Sequence, residues 1–320
     1  MRPPLLLLLL FVLALTAGCS VRMGGQEVRL HRDGDSADLL IVYERVTAAQ
    51  ESQLFRMRDN PKNLIDATRW AERFLEGRRV GTIGGWPLAF DLDDPEAMAE
   101  VPAALREALA DVSLDGHGAF LDDEGRLCGW QKWSIPSLAA LVGAADRAFR
   151  DHLSALARTD RFAEQLGFGD DATVELFRAR LADGRPFLRF VDGALLIDVP
   201  VSPTLRRRLL ADGVEALAAG AANAAIENER QQNPKQHAEI CRIITELLDH
   251  VRKIVIDDDR VELTIDVPGG RPTILLDLER DEEPYDDVLL DILRANGHEI
   301  ETAFERESLI ATWPQEESPK

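Results

Sequence analysis

Cysteine is nearly missing from this chain: three in 320 residues, at Cys19, Cys128 and Cys241. So few thiols exclude a disulfide-held scaffold. Cys128 and Cys241 either pair in an oxidising compartment or act as small apolar residues in ordinary structured stretches. Positive charge is also scarce. Lys and Arg number 37 against 57 Asp and Glu, for a net charge of −20. Nucleic-acid binding needs a basic footprint and is excluded. A body this acidic does not adhere electrostatically to anionic lipid either, and its charge is read as serving solubility. Recurrent catalytic signatures are missing too. There is no phosphate loop, no dinucleotide fingerprint, no G-x-S-x-G and no H-E-x-x-H. No catalytic residue, metal ligand set or cofactor is therefore assigned.

The longest apolar run, Leu5 to Leu15, is eleven residues. It covers about 16 Å of a bilayer core about 30 Å thick, too short to span it and the length of a signal-peptide core. Arg2 precedes it, and Thr16, Ala17 and Gly18 lead into Cys19. This ending resembles the lipobox of bacterial lipoproteins, with Thr16 where that motif prefers Leu. The resemblance covers residues 1–20 only. It implies a diacylglyceryl thioether on Cys19, cleavage after Gly18 and acylation of the new amine. Two or three acyl chains anchor stably where one does not. Ser20, rather than Asp, follows the cysteine, which implies the outer membrane, facing the periplasm. An ordinary signal peptide cut near Ala17 is the alternative.

The whole sequence is 45% hydrophobic and 29% charged, as in folded globular proteins. Residues 1–18 read as the signal, 19–158 as an N-terminal α+β region and 159–320 as a C-terminal one, the two regions also reading as one continuous domain. Period-two alternation predicts hairpins turning at Asp33–Ser36, Asp122–Gly125, Asp192-Gly193 and Asp257–Asp259. Helices are expected to open at Pro61, Pro95, Ser137, Pro203 and Pro284. Gly81, Gly84 and Gly85 read as a bend before a strand near Trp86 to Leu92, and residues 216–252 as helical. A closing strand pair is expected near His298 to Phe304 and Ser308 to Trp313. Hairpins mixed with helices, without βαβ alternation, predict an α+β fold with mostly antiparallel sheet. Six residues, Ser20 to Gly25, would then tether the body to the membrane.

Trp86, Trp130 and Trp133 are the candidate binding residues, an aromatic groove with Gln131 and Lys132 as polar partners. Trp130 and Trp133 are three apart on one strand, so at least one belongs to the core. His237 and Cys241 share a helix face at metal-ligand spacing, but His250 points away from it. His152 reads as a core histidine on an apolar stripe. The carboxylates at Asp91/Asp93/Asp94, Asp122/Asp123/Glu124 and Asp257/Asp258/Asp259 read as capping or solvated turn residues. The expectation is a non-catalytic envelope lipoprotein, held in the membrane through Cys19 and bridging to an envelope protein. The alternative is a lipid-anchored periplasmic hydrolase whose site draws on residues distant in sequence.

Overall fold

The computed structural model describes residues 21–48, 61–83, 88–159, 162, 171–212, 251–257, 259–267, 269, 273–279, 287–300, 309–310 and 313. In chain order the chain forms β1 (Val21–Arg22), β2 (Gly25–Asp33), β3 (Ser36–Glu44), β4 (Thr47–Ala48), α1 (Pro61–Leu75), β5 (Val80–Ile83) and β6 (Leu88–Asp91). Then come α2 (Pro95–Glu100), α3 (Ala103–Ala110), β7 (Ser113–Leu121), β8 (Leu127–Ile135), α4 (Leu138–Leu156) and α5 (Asp171–Asp183). The last are β9 (Leu188–Val191), β10 (Ala194–Pro200), α6 (Pro203–Asp212), β11 (Val251–Ile256), β12 (Arg260–Asp266), β13 (Thr273–Glu279) and α7 (Val288–Ala295). Among the named strands every pairing is antiparallel, and the fold class is α+β.

The chain divides into two compact units. Among the described residues the first takes Ser137–Val267 with Pro102–Leu109; the second takes those before Pro102, Ala110–Pro136 and those from Pro268 onward. The second unit is therefore closed by its C-terminal part: β13 returns to pair with β2 and completes a sheet of order β13-β2-β3-β8-β7. Helix α1 covers one face with Ala67, Ala71 and Phe74, while Leu289, Leu290 and Leu293 of α7 are also buried. The β1–β4 ribbon continues the β2–β3 ladder past a kink at Arg45, whose φ is +53°.

The first unit is built on a sheet of order β11-β12-β10-β9. Asp192 and Gly193 both adopt positive φ, the geometry of a two-residue hairpin loop whose twist matches its strands. Leu188, Ile197, Val199, Val261 and Leu263 are buried at alternating positions. The other face carries cross-strand ion pairs: Arg189 to Glu262 at 3.5 Å and Arg252 to Asp266 at 3.3 Å.

Several expectations change. Gly81, Thr82 and Ile83 belong to β5 rather than to a bend. A Cβ on Gly81 would lie 2.5 Å from the Phe90 ring, so glycine lets β6 close over this strand. Val251 opens β11 instead of ending a helix. Leu309 and Ile310 are helical, and residues 298–300 form no strand. Trp313 instead folds onto the sheet, its N–H reaching the Leu309 carbonyl at 3.2 Å. His152 is exposed, because the buried stripe of α4 runs through Ala145, Ala148, Phe149 and Leu153.

Candidate functional site

Alternation along β8 sorts the candidate residues. Gln131 and Trp133 point to one face of the five-stranded sheet, Trp130 and Lys132 to the other. Trp130 and Trp133 therefore do not line one groove, and Trp86 lies outside the described residues. Trp133 is core, packed at 5.5 Å against Phe90.

The face toward α1 holds a buried polar layer. The Gln131 amide donates to the Val80 carbonyl at 2.6 Å, and Gln131 Oε1 accepts from the Tyr43 hydroxyl at 2.8 Å. Gln26 donates to the Thr82 carbonyl at 2.6 Å. These bonds pin the β5–β6 hairpin to the sheet. Beside them Trp70 stacks on Phe74 and both meet the Tyr43 ring edge to face, at centroid distances of 5.3–6.1 Å. Between these rings, Leu127 and Leu293 lies a cavity of about 20 Å³ with an apolar wall. That is the volume of one water with no polar partner to hold it.

On the opposite face Trp130 packs against a buried cluster of Leu40, Val42 and Trp313. Its indole fills the space left by two glycines of β7: a Cβ on Gly116 or Gly118 would lie 3.1 Å or 2.7 Å from it. Lys132 Nζ sits 5.7 Å from the centre of the Trp313 ring, a cation–π contact. Glu27, buried here, pairs with Arg29. Farther along, Ser134 Oγ donates to Asp38 Oδ1 at 3.2 Å, and Asp38 stands opposite His31. The carboxylate strand lies between serine and histidine, separating them by about 10 Å. His31 does not reach the hydroxyl, so this row is not a nucleophile triad.

The acidic clusters are engaged in structure. Asp93 receives the Arg79 backbone N–H and guanidinium Nε, both at 2.8 Å. Burial alone would raise its carboxyl, but these bonds outweigh that and hold it below the ordinary value. Asp94 caps α2 by accepting from the Glu96 and Ala97 N–H groups, which lower its pKa. Asp91 pairs with Arg73, yet its burial dominates and its pKa is raised. Asp122 accepts from Arg126 N and Nε at 2.8 and 2.7 Å inside its turn. Asp257 pairs with Arg260 at 3.0 Å, and Asp258 lies outside the described residues.

In the first unit Arg180 and Asp198 form a pair at 2.9 Å, 4% and 6% exposed. The Arg180 guanidinium lies 4.9 Å from the Phe187 ring centre. Asp146 accepts from the Phe187 and Leu188 N–H groups at 2.6 and 2.9 Å, and from Arg150 at 2.7 Å. Cys128 is free and buried, and desolvation pushes its thiol up to about 11. His237, Cys241 and His250 lie outside the described residues. Among the described residues no group of three His, Cys, Asp or Glu could hold a metal ion, and no helix is long and apolar enough to cross a membrane.

The chain matches no known protein family, no curated protein and no solved structure.

Sequence reasoning missed Trp313, Asp146 and the Arg180–Asp198 pair. The signals were present. Asp198 interrupts the apolar run from Leu195 to Val199, and Arg180 falls three residues after Phe177 on the buried stripe of α5. A charge inside an apolar pattern marks a buried partner.

Proposed function

We propose that this protein is a bacterial envelope lipoprotein, anchored through acyl chains on Cys19, that binds another envelope component and catalyses no reaction. The observation that carries the anchor is the sequence Thr16-Ala17-Gly18-Cys19 after an apolar run of signal-core length. Ser20 directs it to the outer membrane on this reading.

The non-catalytic half is supported by how the described acids are used. A general acid needs a carboxyl kept protonated in a site open to substrate. The buried carboxylates Glu27, Asp146 and Asp198 are each paired with an arginine. Asp91, the carboxyl pushed upward, also faces Arg73. The cavity beside Tyr43 is small and apolar and holds no acid.

Replacing Cys19 with Ser tests the anchor. Loss of labelled palmitate and release from the membrane fraction are expected. Unchanged labelling and retention would remove the basis of the reading. Crosslinking in intact cells, followed by identification of captured envelope proteins, tests the binding role. Capture of no envelope component would count against it.

A further inference from the structure

We infer that one end of the five-stranded sheet, the end carrying β1, β4 and the first turns of α1, is the surface that rests on the bilayer, with Ile65 at the apolar boundary. The inference rests on lipidation at Cys19 and adds to it an orientation.

The length of chain available decides the contact. Val21 is 0% exposed and paired with Ala48, so the folded body already begins there. Cys19 is two residues earlier. Two residues reach at most about 7 Å, far less than the six-residue tether that the sequence pattern implies. With acyl chains in the leaflet and so short a reach, the surface around β1 lies at headgroup level.

The register decides which end that is. The β2–β3 ladder runs from Gly25 opposite Glu44 to Asp33 opposite Ser36. The β1–β4 ribbon extends it beyond Gly25 and Glu44, so the Asp33–Ser36 turn is at the other end. Nine residues of β2 separate the two ends, about 27 Å of strand. Asp33 and Asp35 are exposed at that far turn, where water solvates them.

Helix α1 is laid along the same axis. Gly77, just past its C-terminus, approaches His117, Phe74 approaches Gly129, and Trp70 meets Tyr43. His117 aligns through Gln131 with Ile41, and Gly129 aligns with Tyr43, so the helix N-terminus advances toward the Glu44 end. Helix α1 also packs on β1 and β4. Ile65 lies one and a half turns beyond Trp70, about 7.5 Å farther toward the anchor. It is 56% exposed, a large apolar side chain on the outside of a helix. A bilayer boundary accepts such a group more favourably than water does. The acidic turn at this end is partly neutralised, since Arg126 pairs with both Asp122 and Glu124.

The test uses full-length protein purified from membranes with its N-terminus intact. It is reconstituted into vesicles of phosphatidylethanolamine and phosphatidylglycerol. These contain a phosphatidylcholine with a photoactivatable diazirine high on one acyl chain. After photolysis, mass spectrometry reads both the acyl mass on Cys19 and the sites of lipid adducts. Adducts are expected within residues 63–69, centred on Ile65, with none at residues 33–36. Ile65→Glu should lose the α1 adducts while Cys19 stays acylated. Acylated Cys19 with adducts at residues 33–36, or with none on α1, overturns the orientation and leaves the lipoprotein reading standing. A protein or second copy seated over Ile65 gives that same overturning result. Cys19 without acyl mass overturns both.

Discussion

The Tyr43 hydroxyl and the Gln131 side chain, 88 residues apart in sequence, meet at 2.8 Å inside the five-stranded sheet with both residues fully buried. Gln131 then donates to the Val80 carbonyl, so one amide satisfies a side chain of the sheet and a backbone group of the hairpin above it. Replacing Gln131 with Leu removes the acceptor of that hydroxyl and the donor to that carbonyl. Each unsatisfied buried group costs about 1–3 kcal/mol. A lower urea midpoint with an unchanged slope is expected from tryptophan fluorescence. Tyr43→Phe should cost less, because it orphans only Gln131 Oε1. Equal midpoints for wild type and Gln131→Leu would refute this account.

The buried Arg180–Asp198 pair predicts a different pattern. Asp198→Ala strands a guanidinium in the interior, and breaking such a pair costs about 3–5 kcal/mol. Replacing both, as Arg180→Met with Asp198→Leu, removes charge and partner together and should recover much of the loss. Thermal unfolding of the two variants checks it. A double variant as unstable as Asp198→Ala would show that the pair is not the source of the effect.

Asp91 and Asp93 should respond to pH with opposite signs. The pKa of Asp93 is depressed in the folded state from the ordinary 3.8. Its contribution is fully present above that value and is lost as pH falls through the folded pKa. Asp93→Asn should therefore be destabilising at pH 7 and converge with wild type in strong acid. Asp91 has a raised folded pKa, so its contribution is present below 3.8 and is lost as pH rises. Asp91→Asn should cost less than Asp93→Asn at pH 7, since Arg73 keeps Asp94 at 3.4 Å. Urea titrations from strong acid to pH 7 separate the two, and parallel curves would contradict the assignment.

Cys128, 2% exposed with its thiol pushed up to about 11, should resist iodoacetamide at pH 8 in the folded protein and react once urea unfolds it. Peptide mapping distinguishes it from Cys241. Rapid alkylation of the native Cys128 thiol would show that the strand opens.

Local pattern alone determined much of this protein. Alternation and turn residues located β2–β3, β7–β8, β9–β10 and β11–β12, because a hairpin is written in adjacent residues. The proline and Ser137 starts of α1, α2, α4 and α6 were legible for the same reason, since caps act within one turn. The α+β class followed from the mixture of these elements. The tertiary structure decided what depends on distant partners. Gly81 reads as a bend until Phe90 is seen lying where its Cβ would be. Trp313 reads as a strand residue until Leu40, Val42 and Trp130 are seen to form the surface it covers. The pairing of β13 with β2 brings together residues some 250 positions apart, and no local spacing encodes it. The same holds for Arg180 and Asp198. Their sequence positions show two charges in apolar surroundings, but only the packing of α5 on β10 makes each the other's counter-ion, because charge burial is tolerated only where a partner arrives from elsewhere in the fold.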